Sequence, residues 1–157
     1  MEQKIYHEKL SSLITEALFI TLSIIFFSLF ILRWSNLSWD GLTITFFLFF
    51  VFFLFYSTNY ITLKIFITNE NLFLTFGIFS WKVSFATIES SYIDENSILR
   101  YGGAGIHFMW INGKYRAFFN FLEYPRVVVT LNKKKGPVQE IAFSTKKPEL
   151  VIHLLSE

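Results

Sequence analysis

Residues 42–56, which read LTITFFLFFVFFLFY, decide the fold. Asp40 is the last charged residue before this stretch and Lys64 is the first after it, so residues 41–63 are uncharged. About 23 residues that rise about 1.5 Å each can cross a hydrocarbon core about 30 Å thick. Phe favours strands in soluble proteins. In lipid, however, the backbone must pair its own polar groups, and two non-alternating segments cannot close a barrel. The stretch therefore predicts a membrane-spanning helix.

A second apolar stretch precedes the first. Residues 13–32 read LITEALFITLSIIFFSLFIL and are long enough for another span. No small-residue cleavage site follows them and the next span begins at once, which favours a retained helix over a cleaved signal peptide. Glu16 lies about one turn into this helix. We expect it to reach the membrane interface, and a proton or ion relay is the alternative role.

Residues 33–40 are too short for a domain and predict the turn of a helical hairpin that covers residues 13–63. Trp34 and Trp39 lie where an aromatic belt belongs. The turn carries one Arg and one Asp, whereas the opposite flanks carry Lys4, Lys9 and Lys64. The positive-inside rule then places both termini in the cytoplasm, with the hairpin in the cell membrane (inner or plasma).

Composition excludes several classes of protein. Of the 157 residues, 53% are hydrophobic and 20% aromatic, with the excess in the two spans. The absence of cysteine excludes disulfides, thiolate metal sites and a cysteine nucleophile. The formal net charge of +2 is too small to indicate nucleic-acid binding.

After the hairpin, the pattern changes to short apolar runs separated by turns. Residues 1–12 are expected to form a polar, cytoplasmic N-terminal segment, and residues 64–157 a β domain. Asn112-Gly113 is the strongest hairpin signal, since both residues tolerate positive φ. Pro148 and Glu149 open a short helix that ends near Leu155.

The fold class is therefore α+β: two membrane helices, then a seven-stranded, partly open barrel or sandwich, then a short helix. The seven expected strands are residues 60–67, 72–77, 81–88, 105–111, 114–121, 126–131 and 138–144.

Several motifs of this region resemble one family. ITNENLFLTFG (67–77) followed by KVSFATIES (82–90) is similar to the first strands of the bacterial pleckstrin-homology (PH) domains that follow membrane helices. RYGGAGIHF (100–108), RVVVTL (126–131) and STKKPELVIHLL (144–155) resemble the later part of such domains. The resemblance covers roughly residues 60–155. It implies a membrane-attached, PH-like domain without catalytic activity that binds lipid or protein. Inositide-binding relatives have a basic first hairpin loop, whereas the loop here is Asn69-Glu70-Asn71.

Candidate contact residues for lipid or a partner are all basic. Lys133, Lys134 and Lys135 form a turn that is either a solvated hairpin tip or a contact to anionic lipid. A basic patch is expected where strands neighbour one another, formed by Arg100, Lys114, Arg116 and Arg126. No catalytic, cofactor-binding or metal-binding residue is expected, since His7, His107 and His153 lack ligand-like spacing.

The sequence thus predicts an integral membrane protein that presents a non-catalytic binding surface for a protein or lipid. The expected partners are the lipid bilayer and a protein, either another protein or a second copy of the chain. The family resemblance suggests a role in envelope stress or in self-immunity against a membrane-active peptide. One alternative is an accessory subunit of a transporter or secretion complex, with the Phe-rich second helix as its partner surface. A small membrane enzyme is the other alternative, and the spans offer it only Glu16 as a polar group.

Overall fold

The structure is a computed structural model that describes residues 4–35, 40–96, 103–132 and 136–156. These residues form three α-helices: α1 (Leu13–Trp34), α2 (Gly41–Asn59) and α3 (Pro148–Ser156). A short 3-10 turn covers Phe85–Thr87. The strands of the described residues are β1 (Lys4–Ser11), β2 (Thr62–Thr68), β3 (Asn71–Phe76), β4 (Phe79–Ser84), β5 (Ile88–Ile93), β6 (Gly105–Ile111), β7 (Lys114–Asn120), β8 (Arg126–Leu131) and β9 (Glu140–Ser144).

Both long helices begin at a side-chain cap. Ser12 accepts a hydrogen bond from the backbone N–H of Thr15 in α1, and Asp40 accepts one from Thr43 in α2. Each helix is long and apolar enough to cross a membrane. In their most apolar windows, only 17% of α1 residues and 11% of α2 residues are buried, whereas the core helix of a soluble protein would be mostly buried. Both helices are therefore long, apolar and largely exposed, unlike the core helix of a soluble protein.

Aromatic side chains hold α1 and α2 together. The ring of Phe26 lies 5.0 Å from that of Phe49, and the rings of Phe27 and Phe50 are 4.9 Å apart. Phe30 and Phe47 make a third contact at 5.3 Å. These contacts explain why Phe-rich segments are helical here: each helix offers a face of aromatic side chains to the other, and such pairs stabilise beyond their buried area.

The strands form two antiparallel-rich sheets that pack face to face. The first has the order β1-β2-β3-β4, and the second has the order β5-β8-β9-β7-β6 with β7 and β9 parallel. Their inner faces share one core, which α3 joins through Val151 and Leu155. Fully buried side chains of this core include Leu10, Leu63, Ile65, Leu74, Phe76, Ala117, Val127, Val129, Ile141 and Phe143.

The helical hairpin is inserted between two neighbouring strands of the first sheet. β1 pairs with β2 from Lys4↔Thr68 to Ser11↔Thr62, and α1 and α2 lie between them in sequence. The start of α1 and the end of α2 therefore lie at the same end of the β domain, which we call the helix-proximal end. The sequence predicts residues 4–11 outside the β domain, whereas the structure pairs them with β2. They form β1 because the side chains of Tyr6, Glu8 and Leu10 point into the β domain. The Glu8 carboxylate accepts hydrogen bonds there from Thr145 Oγ1 and from the N–H of Lys146.

The other strand expectations are met in part. The described residues contain nine strands rather than seven, because β1 was missed and residues 81–88 divide between β4, the 3-10 turn and the start of β5. β5 continues beyond the expected strand 81–88 to Ile93, and as an edge strand it keeps polar residues. The sheets do not close into a barrel. The Asn112-Gly113 turn is confirmed, with φ of 50° and 80°, and so is the C-terminal helix.

Candidate functional site

One side of the sandwich is open. α3 packs against β5 and β8 and fills the space beside them. On the other side, β4 and β6 are edge strands of their sheets within the described residues, and they are not hydrogen-bonded to each other. The space beside them is a cleft of about 640 Å³. We call it the inter-sheet cleft.

Aromatic and aliphatic side chains dominate this cleft. The ring of Trp81 on β4 lies 6.4 Å from that of Phe108 on β6, which lies 5.9 Å from that of Tyr115 on β7. Leu131, Val83 and Val138 add aliphatic surface, and the polar members are Asn71, Lys82, Ser84 and Thr87. A concave, mainly apolar surface with a few polar groups is the usual form of a binding site in proteins.

β6 is the edge strand beside the cleft, and it lacks the residues that commonly prevent pairing with another strand. Its sequence GIHFMWI contains no Lys, Arg, Asp, Glu or Pro, the residues that commonly block edge-to-edge pairing. Phe108 is 45% exposed and Trp110 is 67% exposed. Trp110 lies opposite Tyr115 in the register of β6 and β7, and the two rings are 5.2 Å apart, so both lie on the cleft side of the sheet. An apolar edge to which no further described strand is hydrogen-bonded is therefore continuous with the cleft.

The opposite face of the second sheet holds a buried charged cluster of Asp94, Arg116, Arg126 and Glu140. Arg116 donates through Nε to Glu140 Oε2 at 2.8 Å, and its Nη1 lies 3.3 Å from Asp94 Oδ2. Arg126 Nη2 lies 3.0 Å from the same Asp94 oxygen and also donates to the carbonyl of Asn96. Phe118 lies between the two guanidinium groups, 5.8 Å from one and 5.7 Å from the other. Cation–π attraction thus adds to the ion pairs.

Topology explains why charge is buried there. β5 and β6 lie at opposite edges of their sheet, so the connection between them starts at one edge and ends at the other. Its described ends contact the outer face: Asp94 pairs with both arginines, and Gly103 O accepts from Asn120 Nδ2. The cluster therefore ties this connection to β7, β8 and β9. Its paired and buried groups offer no exposed nucleophile or base.

Electrostatics inside the cluster favour the ionised acid. Burial opposes the ionisation of Glu140, but hydrogen bonds from Arg116 and Lys114 outweigh it, so the pKa of the Glu140 carboxyl lies below its ordinary value. Burial also lowers the pKa of Arg126, against the opposing effect of the Asp94 carboxylate. Glu140 is thus held as an anion by its two basic partners.

These positions correct the expected basic patch. Arg116 and Arg126 do lie on neighbouring parts of one sheet, but they are 3% and 1% exposed and are paired with acids, so they do not belong to an exposed surface. Lys114 remains partly exposed while its Nζ lies 3.1 Å from Glu140 Oε1. Arg100, Lys133, Lys134 and Lys135 lie outside the described residues, so their contact with lipid or a partner stays a prediction.

The β domain is fixed directly to the helices. Glu123, between β7 and β8, accepts a hydrogen bond from the N–H of Ile14 at the start of α1. Tyr124 donates to the carbonyl of Ser11, the last residue of β1. At the end of α2, Tyr60 is buried in the core of the β domain and contacts Phe76 at 5.0 Å. The helices thus present the cleft at a fixed position.

Sequence reasoning missed the cleft. The available signal was the alternation in β6, which places Phe108 and Trp110 on one face of a strand without charge. Which edge remains unpaired, however, depends on long-range sheet order. Among residues 4–35, 40–96, 103–132 and 136–156, no group of three or more His, Cys, Asp or Glu side chains could hold a metal ion.

Comparison with known proteins finds no matching family model, no similar curated protein and no similar solved structure.

Proposed function

We propose that the chain is an integral membrane protein whose PH-like β domain binds an extended segment of a partner protein beside the membrane. Support for the membrane location comes from the length, apolar character and exposure of α1 and α2. Support for a PH-like domain comes from two sheets that pack face to face with a C-terminal helix against them. The function is binding rather than catalysis, since the acids and bases brought together in the second sheet are buried and paired.

The proposed orientation follows from the charges at the two ends of the hairpin. Lys9 and Lys64 are exposed at the helix-proximal end. In the turn, Arg33 is ion-paired with Asp40, which reduces its effect on orientation. Because Lys and Arg accumulate on the cytoplasmic side, the β domain and both ends of the described chain lie in the cytoplasm, at the cell (inner or plasma) membrane.

The main support for partner binding is that β6, an edge strand without charged residues or proline, lies beside the inter-sheet cleft. An extended segment that pairs with this edge would hydrogen-bond to the backbone of β6 and place alternate side chains over the cleft. Apolar side chains suit the cleft, because burial of one such side chain contributes about 1.5–3 kcal/mol. Backbone pairing would supply affinity, and the aromatic side chains of the cleft would select among partner segments.

In-cell photocrosslinking tests this function. A photoreactive amino acid replaces Trp110 on β6 in the full chain, and the matched control carries it at Leu150 on α3, which is 42% exposed. We expect one discrete protein adduct from position 110 and none from position 150. The same adduct should weaken in a Phe108→Ala background, which removes a cleft side chain from the binding surface. Adducts from both positions, or an adduct indifferent to Phe108→Ala, would argue against the cleft as the binding site.

Co-purification in mild detergent provides the second measurement. A stoichiometric partner should be retained by the unchanged chain and lost from Trp110→Lys, because a Lys on an edge strand opposes pairing. The Leu150→Lys variant is the control with the same charge change. Equal recovery of the partner from both variants would contradict strand addition at β6. An accessory subunit of a larger membrane complex would use this same edge.

A further inference from the structure

Two lysines face each other on the outer face of the first sheet. Lys9 on β1 is the direct register partner of Lys64 on β2, and both side chains are exposed. Directly opposed side chains in antiparallel strands have Cβ atoms about 4.5–5.5 Å apart, and like charges at that separation are destabilising. Neither lysine forms an ion pair with another described residue. This pair therefore lacks compensation from within the described part of the chain.

On the helix-proximal side of an aromatic row formed by His7, Phe66 and Phe73, this outer face carries hydroxyl side chains, and no described acid lies beside the pair. The register extends from Lys64 to Thr75 on β3 and from Thr75 to Ser80 on β4. The hydroxyls of Thr75 and Ser80 are 3.2 Å apart. Glu8, the acid next to Lys9, points the other way and is bound by Thr145 and Lys146. Hydroxyl and ammonium donors thus lie side by side on this face.

A shallow pocket lies against the pair, at the end of α2. It measures about 310 Å³ and is lined by Lys9, Lys64, Thr58, Asn59, Thr62 and Thr75. The hydroxyl of Thr58 and the amide of Asn59 already donate to carbonyls of the last helical turn. The donors without a partner among the described residues are therefore the two ammonium groups and the Thr62 hydroxyl, and the Thr75 hydroxyl can donate when it accepts from Ser80. The end of α2 contributes a partial charge of about −0.5, which two full positive charges exceed.

Position in the fold indicates the ligand. Lys64 lies two residues into β2, about 7 Å along the strand from its helix-proximal end. Headgroups extend about 5–7 Å beyond the hydrocarbon core on each side of a bilayer. If α2 spans the membrane, the ammonium groups lie at the depth of lipid phosphates. A phosphate there would neutralise the opposed charges and accept hydrogen bonds from both lysines.

We propose that Lys9 and Lys64, with Thr62 and Thr75, form a binding site for the phosphate group of an anionic phospholipid headgroup. The site depends on the proposed membrane location of α2 and not on partner binding at β6. It lies on the outer face of the first sheet, whereas the inter-sheet cleft is lined by inner-face residues such as Trp81. Loss of one function therefore need not alter the other.

The test compares charge-matched variants of the full chain in nanodiscs. One variant carries Lys9→Gln and Lys64→Gln. The control carries Lys146→Gln and Lys147→Gln, which removes the same charge from exposed positions outside both the pocket and the inter-sheet cleft. Each protein is placed in phosphatidylcholine alone or in phosphatidylcholine mixed with phosphatidylglycerol, and retained phosphatidylglycerol is measured by mass spectrometry after mild extraction. At about 1 kcal/mol per basic residue near the surface, the first variant should bind phosphatidylglycerol about 30-fold more weakly. The control should match the unchanged chain.

Thermal unfolding separates lost binding from lost folding. Phosphatidylglycerol should raise the melting temperature of the unchanged chain and of the control, since a ligand of the folded state stabilises it. It should leave the Lys9/Lys64 variant unchanged. In phosphatidylcholine alone, that variant should melt no lower than the unchanged chain, because the substitution removes like-charge repulsion. A Lys9→Arg, Lys64→Arg variant should retain the phosphatidylglycerol effect.

A second arm distinguishes lipid from soluble phosphate. The protein in neutral detergent is titrated with inorganic phosphate and with glycerol phosphate. If a soluble phosphate binds the unchanged chain as tightly as phosphatidylglycerol does, and does not bind the Lys9/Lys64 variant, the site exists but its ligand is a soluble phosphate. Equal retention of phosphatidylglycerol by all variants would overturn the proposal, whatever the crosslinking at β6 shows.

Discussion

Gly77 lies directly against Asn59, the last residue of α2. A Cβ built at position 77 would stand 2.2 Å from the carbonyl oxygen of Asn59, much closer than any real contact. Gly77 also has a φ of 58°, in the left-handed region. The β3–β4 turn and the end of α2 thus meet backbone to backbone, and the exposed Ile78 that follows lies beside this junction.

We expect Gly77→Ala to destabilise the β domain more than Gly113→Ala. Both glycines have positive φ, at which Ala costs about 1–2 kcal/mol. Only Gly77 adds a backbone clash, since nothing lies within 4 Å of a Cβ at Gly113. Overpacking of this kind typically adds about 1–3 kcal/mol. Thermal unfolding of both variants in detergent measures the difference, and equal melting temperatures would contradict the close junction.

The helical hairpin should be replaceable by a two-residue turn. Ser11 and Thr62 are register partners at the helix-proximal ends of β1 and β2, so Asn-Gly in place of residues 12–61 should connect them as a tight hairpin. The shortened chain should fold in water, as measured by near-UV circular dichroism and by dispersion of its NMR spectrum. It will be less stable than the intact domain, because the core contacts of Phe19 and Tyr60 are lost.

Two controls make this experiment decisive. A fragment that begins at Thr62 lacks β1 and should not fold, since it exposes the inner face of the first sheet. In the shortened chain, Leu10→Ala should cost about 2–5 kcal/mol because Leu10 is fully buried, whereas Ile5→Ala should change little because Ile5 is 52% exposed. A folded fragment without β1 would show that the inserted hairpin does not divide the β domain.

Glu140→Gln should remove part of the acid sensitivity of the fold. The pKa of Glu140 is lowered in the folded state, so its ionised form contributes stability above the ordinary value of 4.5, and this contribution is lost as the pH falls below that value. Near pH 7, the variant should lose about 1–3 kcal/mol, because Arg116 loses a charged partner but keeps Asp94. The difference from the unchanged chain should shrink as the pH falls below about 4.5, toward the lowered pKa of Glu140 in the folded state.

The matched control is Glu70→Gln, which removes the same charge from an exposed turn. Unfolding in denaturant at several pH values should give this control the same profile as the unchanged chain. A Glu140→Gln profile parallel to that of the unchanged chain at every pH would contradict the role of Glu140.

Cysteine labelling can establish the orientation, because the chain contains no cysteine of its own. Ser35→Cys reports the hairpin turn and Leu150→Cys reports the β domain, and both positions are exposed. In intact cells, a membrane-impermeant maleimide should label position 35 and not position 150, and both should react after lysis. Labelling of position 150 in intact cells would overturn the proposed cytoplasmic location of the domain.

Local signals predicted part of this fold. The uncharged stretches indicated both long helices, and Asn112-Gly113 indicated the β6–β7 hairpin, because each depends on residues adjacent in sequence. β1 was missed because it brings only Tyr6 and Leu10 as apolar inward residues and a charged Glu8 between them. That glutamate is acceptable only because Thr145 and Lys146, at the far end of the chain, bind it.

The charged cluster could not be predicted for the same physical reason. Arg116 is separated from Glu140 by 24 positions and from Asp94 by 22, and a sequence alone gives no sign that their strands meet. An arginine with no recognisable partner in the sequence is expected at the surface, so the sequence predicts an exposed basic patch. The inter-sheet cleft likewise depends on β4 and β6 remaining unpaired, which is a property of the complete sheet order.

The pairing of β1 with β2 has a consequence for biosynthesis. The ribosome makes β1 first, then both apolar helices, and only then the strand that β1 needs. If α1 and α2 span the bilayer, β1 and β2 can meet only when an even number of helices has crossed it. A nascent chain with one helix left out would keep the two strands on opposite sides, and its β domain would stay incomplete. β1 therefore pairs with β2 only after both helices have been inserted correctly. A quality-control protease could remove the chains in which the two strands stay unpaired.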